Sequence, residues 1–316
     1  MLGEALVDLS LDDPVGAANG LAMTARAGGS PANAAVGLAR LGVCTRFAGR
    51  ISADLLGTFL RAHLERSGVD LTLAVDAPEP TTVAIVGLDE AGTAAYSFYV
   101  EGTADWQWEA GELPANEAGA AIHTGSLAIA LEPGAQVLAG WIARQRARDA
   151  FVSLDPNVRP TLMLDLPGYR TRLHALVAQA QLVKVSDEDL RALEPGVDPL
   201  QTATEWAQRG PDLVVLTHGA GGSTAIVAGR EPVRCEALAV HLVDTVGAGD
   251  AFAAGLIAFL AENDSLRRGA CALLDRAALT EALRFAGLVA AITCTRRGAD
   301  PPWRAELGAS ALERAI

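Results

Sequence analysis

The chain has 316 residues, of which 50% are hydrophobic and 20% charged, a composition typical of a globular protein. Its net charge of -13 argues against binding to nucleic acid or to an anionic membrane, since both need a basic face. No apolar run reaches the roughly 18 residues of a membrane span, and the first residues lack the basic region of a signal peptide. The 4 cysteines stand singly, which predicts neither a zinc site nor disulfides. We therefore expect a soluble, cytoplasmic protein.

Short apolar runs alternate with longer amphipathic stretches along most of the chain. Strands are predicted at 4–9, 45–51, 151–154, 182–185 and 213–217. Helices are predicted at 32–41, 55–67, 134–148, 169–179 and 202–209. This alternation is typical of βαβ units and predicts an α/β fold with a mainly parallel central sheet flanked by helices.

Two segments interrupt the alternation, at residues 10–26 and 71–103. The first segment consists of small and polar residues. The second contains two runs with the alternation typical of strands, 81–88 and 93–100, joined by turn residues. We interpret these segments as an antiparallel accessory sheet that forms a lid on the α/β body. The sequence shows neither an internal repeat nor a flexible linker, so we expect residues 1–316 to form a single domain.

Lysine is almost absent, because 24 of the 25 basic residues are arginine and only Lys184 is lysine. Lys184 follows Val183 rather than a glycine, which excludes a Walker A phosphate loop. No glycine-rich loop of the protein-kinase type precedes it. The sequence therefore excludes both of these phosphoryl-transfer architectures.

The strongest chemical signal is the run Asp-Thr-Val-Gly-Ala-Gly-Asp that ends at Asp250 and leads into an apolar helix. The first N–H groups of a helix are unpaired, so those of Gly247, Ala248 and Gly249 favour an anion. A carboxylate beside an anion site is unfavourable unless it acts chemically, and Asp250 fits a base that deprotonates an attacking hydroxyl. A helix-capping aspartate and a dinucleotide-binding turn are the alternatives, although Phe252 replaces the third glycine of the latter.

A second signal is the pair Gly28 and Gly29 at the start of a helix of small residues. Paired glycines suit a hinge or a close approach to a ligand. Asn33 lies one turn into that helix and can both donate and accept hydrogen bonds with a polyol. The alternative is an amide satisfied at the helix end.

Together, Gly-Gly-x-x-x-Asn near the N-terminus and Asp-Thr-x-Gly-Ala-Gly-Asp near the C-terminus resemble the ribokinase-like (PfkB) sugar kinases. Residues 3–8 and 49–54 are also similar to that family, and residues 155–160, 183–190 and 295–302 are most similar to its fructokinase branch. The resemblance implies a ribokinase-like fold with a small β-sheet lid. It also implies an ATP-dependent sugar kinase that converts fructose to fructose 6-phosphate.

The resemblance further implies a set of site residues. The catalytic base is Asp250, beside the anion hole already described. The sugar side comprises Asp8, Gly29, Asn33, Arg159 and, as an apolar lid wall, Phe98. The nucleotide side comprises Asn157, Lys184, Thr217, Gly219 and Gly222. Glu188 and Asp189 would organise Mg²⁺ through water, and Asp244 matches where related kinases bind K⁺.

Some positions depart from the family pattern or carry no assigned role. Gly287 stands where the adenine-flanking helix is expected to have an asparagine, and the first strand is short. We expect no role for His218, since no partner for it is visible in the sequence.

Other functions remain as alternatives to a fructokinase. They are a 2-keto-3-deoxygluconate kinase, a nucleoside kinase, a non-catalytic sugar or nucleotide sensor, and an oxidoreductase. The expected partners are a small sugar and ATP, with a homodimer formed through the lid as a further expectation.

Overall fold

The structure is a computed structural model that describes residues 1–11, 22–88, 94–115, 119–163 and 165–308. The turn predicted at 89–92 and most of the predicted lid segment 10–26 lie outside the described residues.

The described strands and helices alternate through the central part of the chain, as the sequence predicts, whereas other parts have consecutive strands or consecutive helices. The strands are β1 (Leu6–Leu11), β2 (Met23–Gly28), β3 (Arg50–Ser52), β4 (Val75–Ala77), β5 (Val83–Leu88), β6 (Ala94–Tyr99), β7 (Ala121–Gly125), β8 (Phe151–Asp155), β9 (Leu182–Ser186), β10 (Leu213–Thr217), β11 (Ser223–Ile226) and β12 (Val233–Cys235). The helices are α1 (Ser30–Arg40), α2 (Leu55–Arg66), α3 (Gly134–Arg146), α4 (Leu166–Val177), α5 (Asp187–Leu193), α6 (Pro199–Ala207), α7 (Ala248–Glu262) and α8 (Arg276–Cys294).

The central sheet has six strands in the order β12-β11-β10-β9-β8-β7. Strands β7 to β10 run parallel, whereas β11 and β12 are antiparallel additions at one edge. Alternate side chains of β10 enter the two opposite cores, Val214 and Leu216 on one face and Leu213 and Val215 on the other. Helices α3 to α6 cover the first face, and α7 and α8 cover the second. This confirms the predicted α/β class with a mainly parallel sheet.

Helix α8 is long and apolar enough to cross a membrane by length and composition alone, which the sequence expectation did not foresee. Glu281 and Arg284 lie within it, and its buried face, which includes Leu283 and Val289, packs in the core with α7. A core helix of a globular protein passes the same test. We therefore interpret α8 as a core helix.

The lid is a separate four-stranded sheet in the order β2-β1-β5-β6. The two runs predicted for the lid form β5 and β6, which pair antiparallel as expected. The expectation of an entirely antiparallel sheet is wrong, because β1 pairs with β5 in parallel. Strand β1, predicted at 4–9, thus belongs to the lid. The residues before it link the lid to the central sheet, because the Leu2 N–H donates to the His123 carbonyl over 2.9 Å.

Several helices begin earlier than their apolar periodicity predicts. Helices α4 and α6 start at Leu166 and Pro199, three residues before the predicted starts, because Asp165 and Asp198 accept backbone N–H groups as N-caps. Each has a proline in its first turn, where the missing N–H costs nothing. Conversely, the strand predicted at 45–51 is regular only over β3, with isolated bridges before it.

Candidate active site

The candidate site lies where the carboxyl ends of the parallel strands meet the N-terminus of α7. Asp155 ends β8, Thr217 ends β10, and Asp250 lies in the first turn of α7. Ligands of open α/β sheets bind at this edge. The fold therefore brings the two glycine motifs of the sequence together, although they are some 220 residues apart.

Asp250 is buried, with 7% of its surface exposed. Ser30 Oγ donates a hydrogen bond to Asp250 Oδ1 over 2.6 Å, and Asn33 Nδ2 donates to Oδ2 over 2.9 Å. Burial raises the pKa of Asp250, and these two hydrogen bonds and the charges of Lys184 and Arg159 oppose that rise. The carboxylate is thus held in place by donors that favour its charged form.

The helix start beside Asp250 has the shape predicted for an anion hole. Gly247 is the N-cap of α7 and adopts a left-handed φ of 76°, and a Cβ there would collide with Ala299. The N–H groups of Gly249 and Asp250 lie in the first helical turn, where no carbonyl of the helix precedes them. The predicted contribution of Ala248 is different, because its N–H donates to the Thr245 carbonyl over 3.2 Å.

Gly249 has another reason to be glycine than the sequence suggests. Its backbone is helical, and a Cβ at this position would lie 3.0 Å from Lys184 Nζ. The lysine approaches the start of α7 from β9, and a side chain on Gly249 would displace it. Close approach, rather than an unusual backbone angle, therefore accounts for this glycine.

Lys184 is buried and forms an ion pair with Asp155, whose Oδ2 lies 2.9 Å from Nζ. Burial acts to lower the pKa of Lys184, and the neighbouring carboxylates of Asp155, Asp189 and Asp250 outweigh it, so that the pKa is raised. Asp155 Oδ1 is buried without a hydrogen-bond partner among the described residues. The cation lies beneath the helix start, and its predicted contact with nucleotide phosphate stays a prediction.

The sugar side is built around Asp8 on β1. Burial and the nearby charge of Asp250 raise the pKa of Asp8 to about 6, against the opposing charges of Arg159 and Arg26. A Cβ on Gly28 would collide with the Asp8 carboxylate, so this glycine makes room for it. Gly29 adopts a φ of 98°, and a Cβ there would lie 2.6 Å from the Glu4 carbonyl oxygen. Asn33 donates its amide N–H to Asp250 and keeps Oδ1 as an acceptor, and its predicted contact with the sugar stays a prediction.

Three further predicted residues lie around this space. Phe98 is half-buried on β6 in the lid, opposite Ala84 of β5. Asn157 follows β8 with a positive φ of 38°, a conformation that asparagine tolerates better than most residues. The exposed Arg159 donates to the Val158 carbonyl over 3.0 Å, and its charge reaches both Asp8 and Asp250.

The predicted phosphate loop follows β10 and contains a short helical turn from Gly219 to Gly221. Thr217 Oγ1 donates to the Val185 carbonyl over 3.4 Å, and a Cβ on Gly222 would collide with the Cys235 carbonyl. His218, for which no partner was visible in the sequence, has two in the structure, and its lack of a functional role stays a prediction.

The His218 ring bridges two elements around that loop. Its Nδ1 lies 3.0 Å from Asp187 Oδ1, and its Nε2 lies 2.8 Å from Thr224 Oγ1. The imidazole thereby ties the loop to the start of α5 and to β11.

The acidic residues in the first turn of α5 are used largely by the fold. Ser186 and Asp189 form a reciprocal capping box, and Asp189 Oδ1 also accepts the Val158 N–H over 2.6 Å. Glu188 is exposed and does not belong to that capping box. Among the described residues no group of three or more His, Cys, Asp or Glu side chains could hold a metal ion. The Mg²⁺ role of Glu188 and Asp189 stays a prediction.

Asp244 links two loops at the other side of the helix start. Its Oδ1 accepts the Val246 N–H over 3.0 Å, and its Oδ2 accepts the Gly298 N–H over 2.8 Å. The segment matched to a K⁺ site is therefore ordered by this carboxylate, and the K⁺ itself stays a prediction. Gly287 lies on α8, and a Cβ there would meet open space.

Sequence reasoning missed Ser30, Arg26 and Asp155. Ser30 stands within the first glycine motif, but nothing in the sequence tells which distant residue its hydroxyl contacts. Arg26 lies on the lid strand β2 and donates to Ser10 Oγ over 2.7 Å, close enough to Asp8 for its charge to act there. Asp155 directly follows the strand predicted at 151–154, and the single lysine on the neighbouring predicted strand, Lys184, was the signal that could have found it.

Comparison with known proteins now identifies the class that this fold and site define. Residues 1–306 match the pfkB family of carbohydrate kinases. The chain therefore belongs to that family and is a carbohydrate kinase, which excludes the dinucleotide-binding oxidoreductase.

The relatives within the family are mainly fructokinases. The fructokinase of Rhizobium leguminosarum bv. trifolii is 36% identical over 278 residues, which cover 88% of this chain and 84% of that protein. The structure of the Vibrio cholerae O395 fructokinase with fructose, ADP and calcium bound has a TM-score of 0.81 at 27% identity, covering 100% of this chain and 97% of that one. The Salmonella enterica aminoimidazole riboside kinase, bound to aminoimidazole riboside and an ATP analogue, has a TM-score of 0.82 at 27% identity, covering 98% of each chain. These structures confirm the ribokinase-like fold.

Proposed function

We propose that this protein transfers the γ-phosphoryl group of ATP to fructose and forms fructose 6-phosphate. The observation that carries the proposal is the geometry of Asp250. Its buried carboxylate is oriented by Ser30 and Asn33 and lies in the first turn of α7, above the Lys184 cation. A general base and an anion-stabilising helix start therefore lie side by side, as phosphoryl transfer to a hydroxyl requires.

The transfer step uses this chain's groups for proton removal and charge stabilisation. The sugar hydroxyl gives its proton to the Asp250 carboxylate as its oxygen bonds to the γ-phosphorus of ATP. The bond from that phosphorus to the bridging oxygen breaks, and ADP leaves with the electron pair. The N–H groups of Gly247 and Gly249 stabilise the charge that develops on the transferred group. Asp8 and Asn33 Oδ1 accept hydrogen bonds from the other sugar hydroxyls and fix the orientation of the attacking one.

ATP would lie along the loop Thr217–Gly222, with its phosphates directed to the start of α7. Asn157 and Lys184 support the phosphate end from β8 and β9. Mg²⁺ keeps several waters and binds through few carboxylates, so it would enter with the ATP phosphates. The exposed Glu188 suits contact with its waters better than Asp189, whose oxygens already accept protein hydrogen bonds. When bound, the ion neutralises phosphate charge. K⁺ would bind beside Asp244.

Two arginines favour a second candidate substrate. Arg159 and Arg26 both act on Asp8, so the sugar space carries two cations that an acid sugar such as 2-keto-3-deoxygluconate could pair with. The carboxylates of Asp8 and Asp250 oppose that pairing, whereas a neutral ketohexose needs only hydroxyl partners and the apolar wall of Phe98. The structural likeness to a riboside kinase adds a nucleoside as a third candidate.

One assay separates these substrates. ADP release with MgATP is measured side by side for fructose, 2-keto-3-deoxygluconate and a purine riboside. We expect kcat/KM for fructose to exceed the others by at least about tenfold, which is roughly 1.4 kcal/mol of transition-state discrimination. A preference for the acid sugar would overturn the fructose assignment and identify Arg159 as its clamp. If none of the three substrates gives ADP release, the result would favour a non-catalytic sensor.

We propose three further properties with this function. The acidic composition supports a cytoplasmic protein that binds neither nucleic acid nor membrane. The packing of α1 against α7, with the Leu2 link between the lid and the central sheet, supports a single domain. The lid supports a homodimer, because β6 lies at its edge and Tyr99 on that strand is 60% exposed.

A further inference from the structure

Ser30 is a buried residue of the site that no motif assigns. It begins α1 directly after the N-cap Gly29, with 7% of its surface exposed. Its hydroxyl donates to Asp250 Oδ1 over 2.6 Å, the shorter of the two hydrogen bonds that this carboxylate accepts from side chains. Because Ser30 and Asp250 are 220 positions apart, only the packing of α1 on α7 brings them together.

The surroundings of Asp250 make its ionisation depend on such donors. Two carboxylates, Asp8 and Asp155, act on it electrostatically and disfavour a further negative charge. Lys184 and Arg159 favour that charge, but Lys184 is already paired with Asp155. Burial removes water from the carboxylate and opposes ionisation. The neutral donors of α1, Ser30 and Asn33, therefore remain to stabilise the ionised form of Asp250 directly.

Ser30 is suited to this task in a way that Asn33 is not. Its short side chain has one rotatable bond to the hydroxyl, and its backbone is fixed at the helix start beside Pro31. A hydroxyl that donates to a carboxylate forms one of the stronger hydrogen bonds in proteins. The bond occupies one lone pair of Oδ1 and leaves others for the proton of a substrate hydroxyl.

We infer that Ser30 is a positioning residue for phosphoryl transfer, which holds Asp250 in its reactive orientation and keeps it ionised at neutral pH. The inference rests on the proposed role of Asp250 as the base. Ser30 itself loses no proton in the step. The proton of the sugar hydroxyl passes to the Asp250 carboxylate, while the Ser30 O–H continues to donate to Oδ1 and directs the incoming proton to a free lone pair.

The test compares four variants of the full-length enzyme. Ser30→Ala removes the hydroxyl, Ser30→Cys keeps the volume with a much weaker donor, and Ser30→Thr restores a hydroxyl. Ser265→Ala is the matched control, because Ser265 is also buried and its hydroxyl donates to the Asn263 carbonyl. For each, kcat and the sugar KM are measured from about pH 5 to 9.

A second measurement does not depend on activity. The carboxyl carbon of Asp250 is followed by NMR in protein labelled with ¹³C at aspartate side chains, and Asp250→Asn identifies its resonance. We expect its titration midpoint to rise by about one pH unit in Ser30→Ala and Ser30→Cys. The midpoint of the acid limb of kcat should rise by the same amount, so that kcat falls about tenfold at pH values below both midpoints. The sugar KM should stay near the parent value in every variant. In Ser30→Thr and Ser265→Ala, the titration midpoint and kcat should also stay near the parent values.

The outcomes separate this inference from the proposed function. An unchanged Asp250 titration in Ser30→Ala overturns the role of Ser30. A shifted titration together with a shifted acid limb supports it. A shifted titration with an unchanged acid limb supports the contact between Ser30 and Asp250 and contradicts Asp250 as the base. Equal losses of kcat at every pH in the Ala, Cys and Thr variants would also overturn the inference, because they indicate a packing defect.

Discussion

At the scale of single residues, this active site depends on a carboxylate whose charge the protein itself must stabilise. Asp250 is buried beside two other acids, and its pKa is raised by that burial. A base for a sugar hydroxyl gains from such a shift, because a stronger base takes the proton more readily, provided that the group is still ionised at the working pH. Hydrogen bonds from α1 meet that condition.

The first prediction concerns this carboxylate. Asp250→Asn keeps the size of the side chain and its hydrogen-bonding ability but removes the proton acceptor. We expect kcat to fall by at least about 10²–10⁴-fold, the usual contribution of a general base, with little change in sugar affinity. ADP release and sugar binding measured by calorimetry check both parts. Asp264→Asn is the control, since Asp264 is exposed and its left-handed backbone suits asparagine. A variant that retained a tenth of normal turnover would contradict the assignment.

The second prediction concerns the close approach at Gly249. Gly249→Val adds a branched side chain whose Cβ would lie 3.0 Å from Lys184 Nζ, so the lysine must shift to make room for it. A displacement of about 1 Å costs on the order of 10²-fold in rate, and we expect that loss in kcat/KM for ATP. Sugar binding should be retained.

The control for Gly249 is Gly140→Val, which makes the same change within α3. There a Cβ would meet only Arg144 Nη1, at an ordinary 3.6 Å. Normal kinase activity in Gly249→Val would show that the helix start and Lys184 do not contact the phosphates.

At the scale of elements, the lid is attached to the body by two buried acids. Glu4 precedes β1 and accepts the Ala128 N–H over 3.1 Å, while Asp105 follows β6 and accepts the Ala5 N–H over 2.9 Å. Burial is the main cause that raises the pKa of each to about 7, and the proximity of Asp105 contributes to that of Glu4. The chain segments before β1 and after β6 are thus fixed by carboxyl groups that bind protons near neutral pH.

The third prediction follows from the sign of these shifts. The folded pKa values of about 7 exceed the ordinary 4.5 and 3.8, so the folded protein binds more protons than the unfolded chain between about pH 4 and 7. Stability therefore falls as the pH rises through that window. We expect Tm to be lower at pH 8 than at pH 5. We expect Glu4→Gln to reduce this difference in Tm by about 2 °C or more.

Thermal unfolding of Glu4→Gln at both pH values checks this directly. The exposed Glu281→Gln on α8 makes the same chemical change away from the lid and should leave the difference as in the parent. If the Tm difference between pH 5 and pH 8 were as large in Glu4→Gln as in the parent, Glu4 would be ionised in the folded protein at both pH values.

At the scale of the whole molecule, the lid sheet carries Asp8 of the proposed sugar site and also has an open edge. Strand β6 ends the order β2-β1-β5-β6, so one side of its backbone is unpaired within the sheet. Edge strands pair readily with another chain, and a second lid would supply a matching edge. This arrangement supports the proposed homodimer.

The fourth prediction tests that dimer. Tyr99 is 60% exposed on β6, and Tyr99→Arg places a charge where two lids would meet. We expect the parent protein to sediment as a dimer, and the variant to dissociate at a concentration at least about tenfold higher, which is roughly 1.4 kcal/mol. Leu273→Arg alters a residue that is 84% exposed outside the lid and should leave the dimer intact. A monomeric parent protein, or dissociation by Leu273→Arg alone, would contradict the proposal.

Local patterns were sufficient for many of the elements and for proposing Asp250 as the base. Apolar periodicity located β8, β9 and β10 of the central sheet, since buried strands covered on both faces read as continuous apolar runs. Strands β7, β11 and β12 were not predicted. The glycine-rich run before α7 was recognisable because an anion hole is made by consecutive backbone N–H groups. The early starts of α4 and α6 were missed because capping depends on Asp165 and Asp198, which lie outside the apolar pattern.

Contacts between distant segments were decided only by the tertiary structure. No local signal tells that β1 joins the lid in parallel with β5, since strand pairing depends on long-range packing rather than on the strand's own residues. The same holds for the Ser30 hydroxyl on Asp250, the Lys184 ion pair with Asp155 and the two partners of His218. By itself the sequence determined the family, the α/β architecture and the residue proposed to take the proton. The tertiary structure decided which side chains hold that residue charged, because burial and hydrogen-bond partners exist only once segments far apart in sequence are packed together.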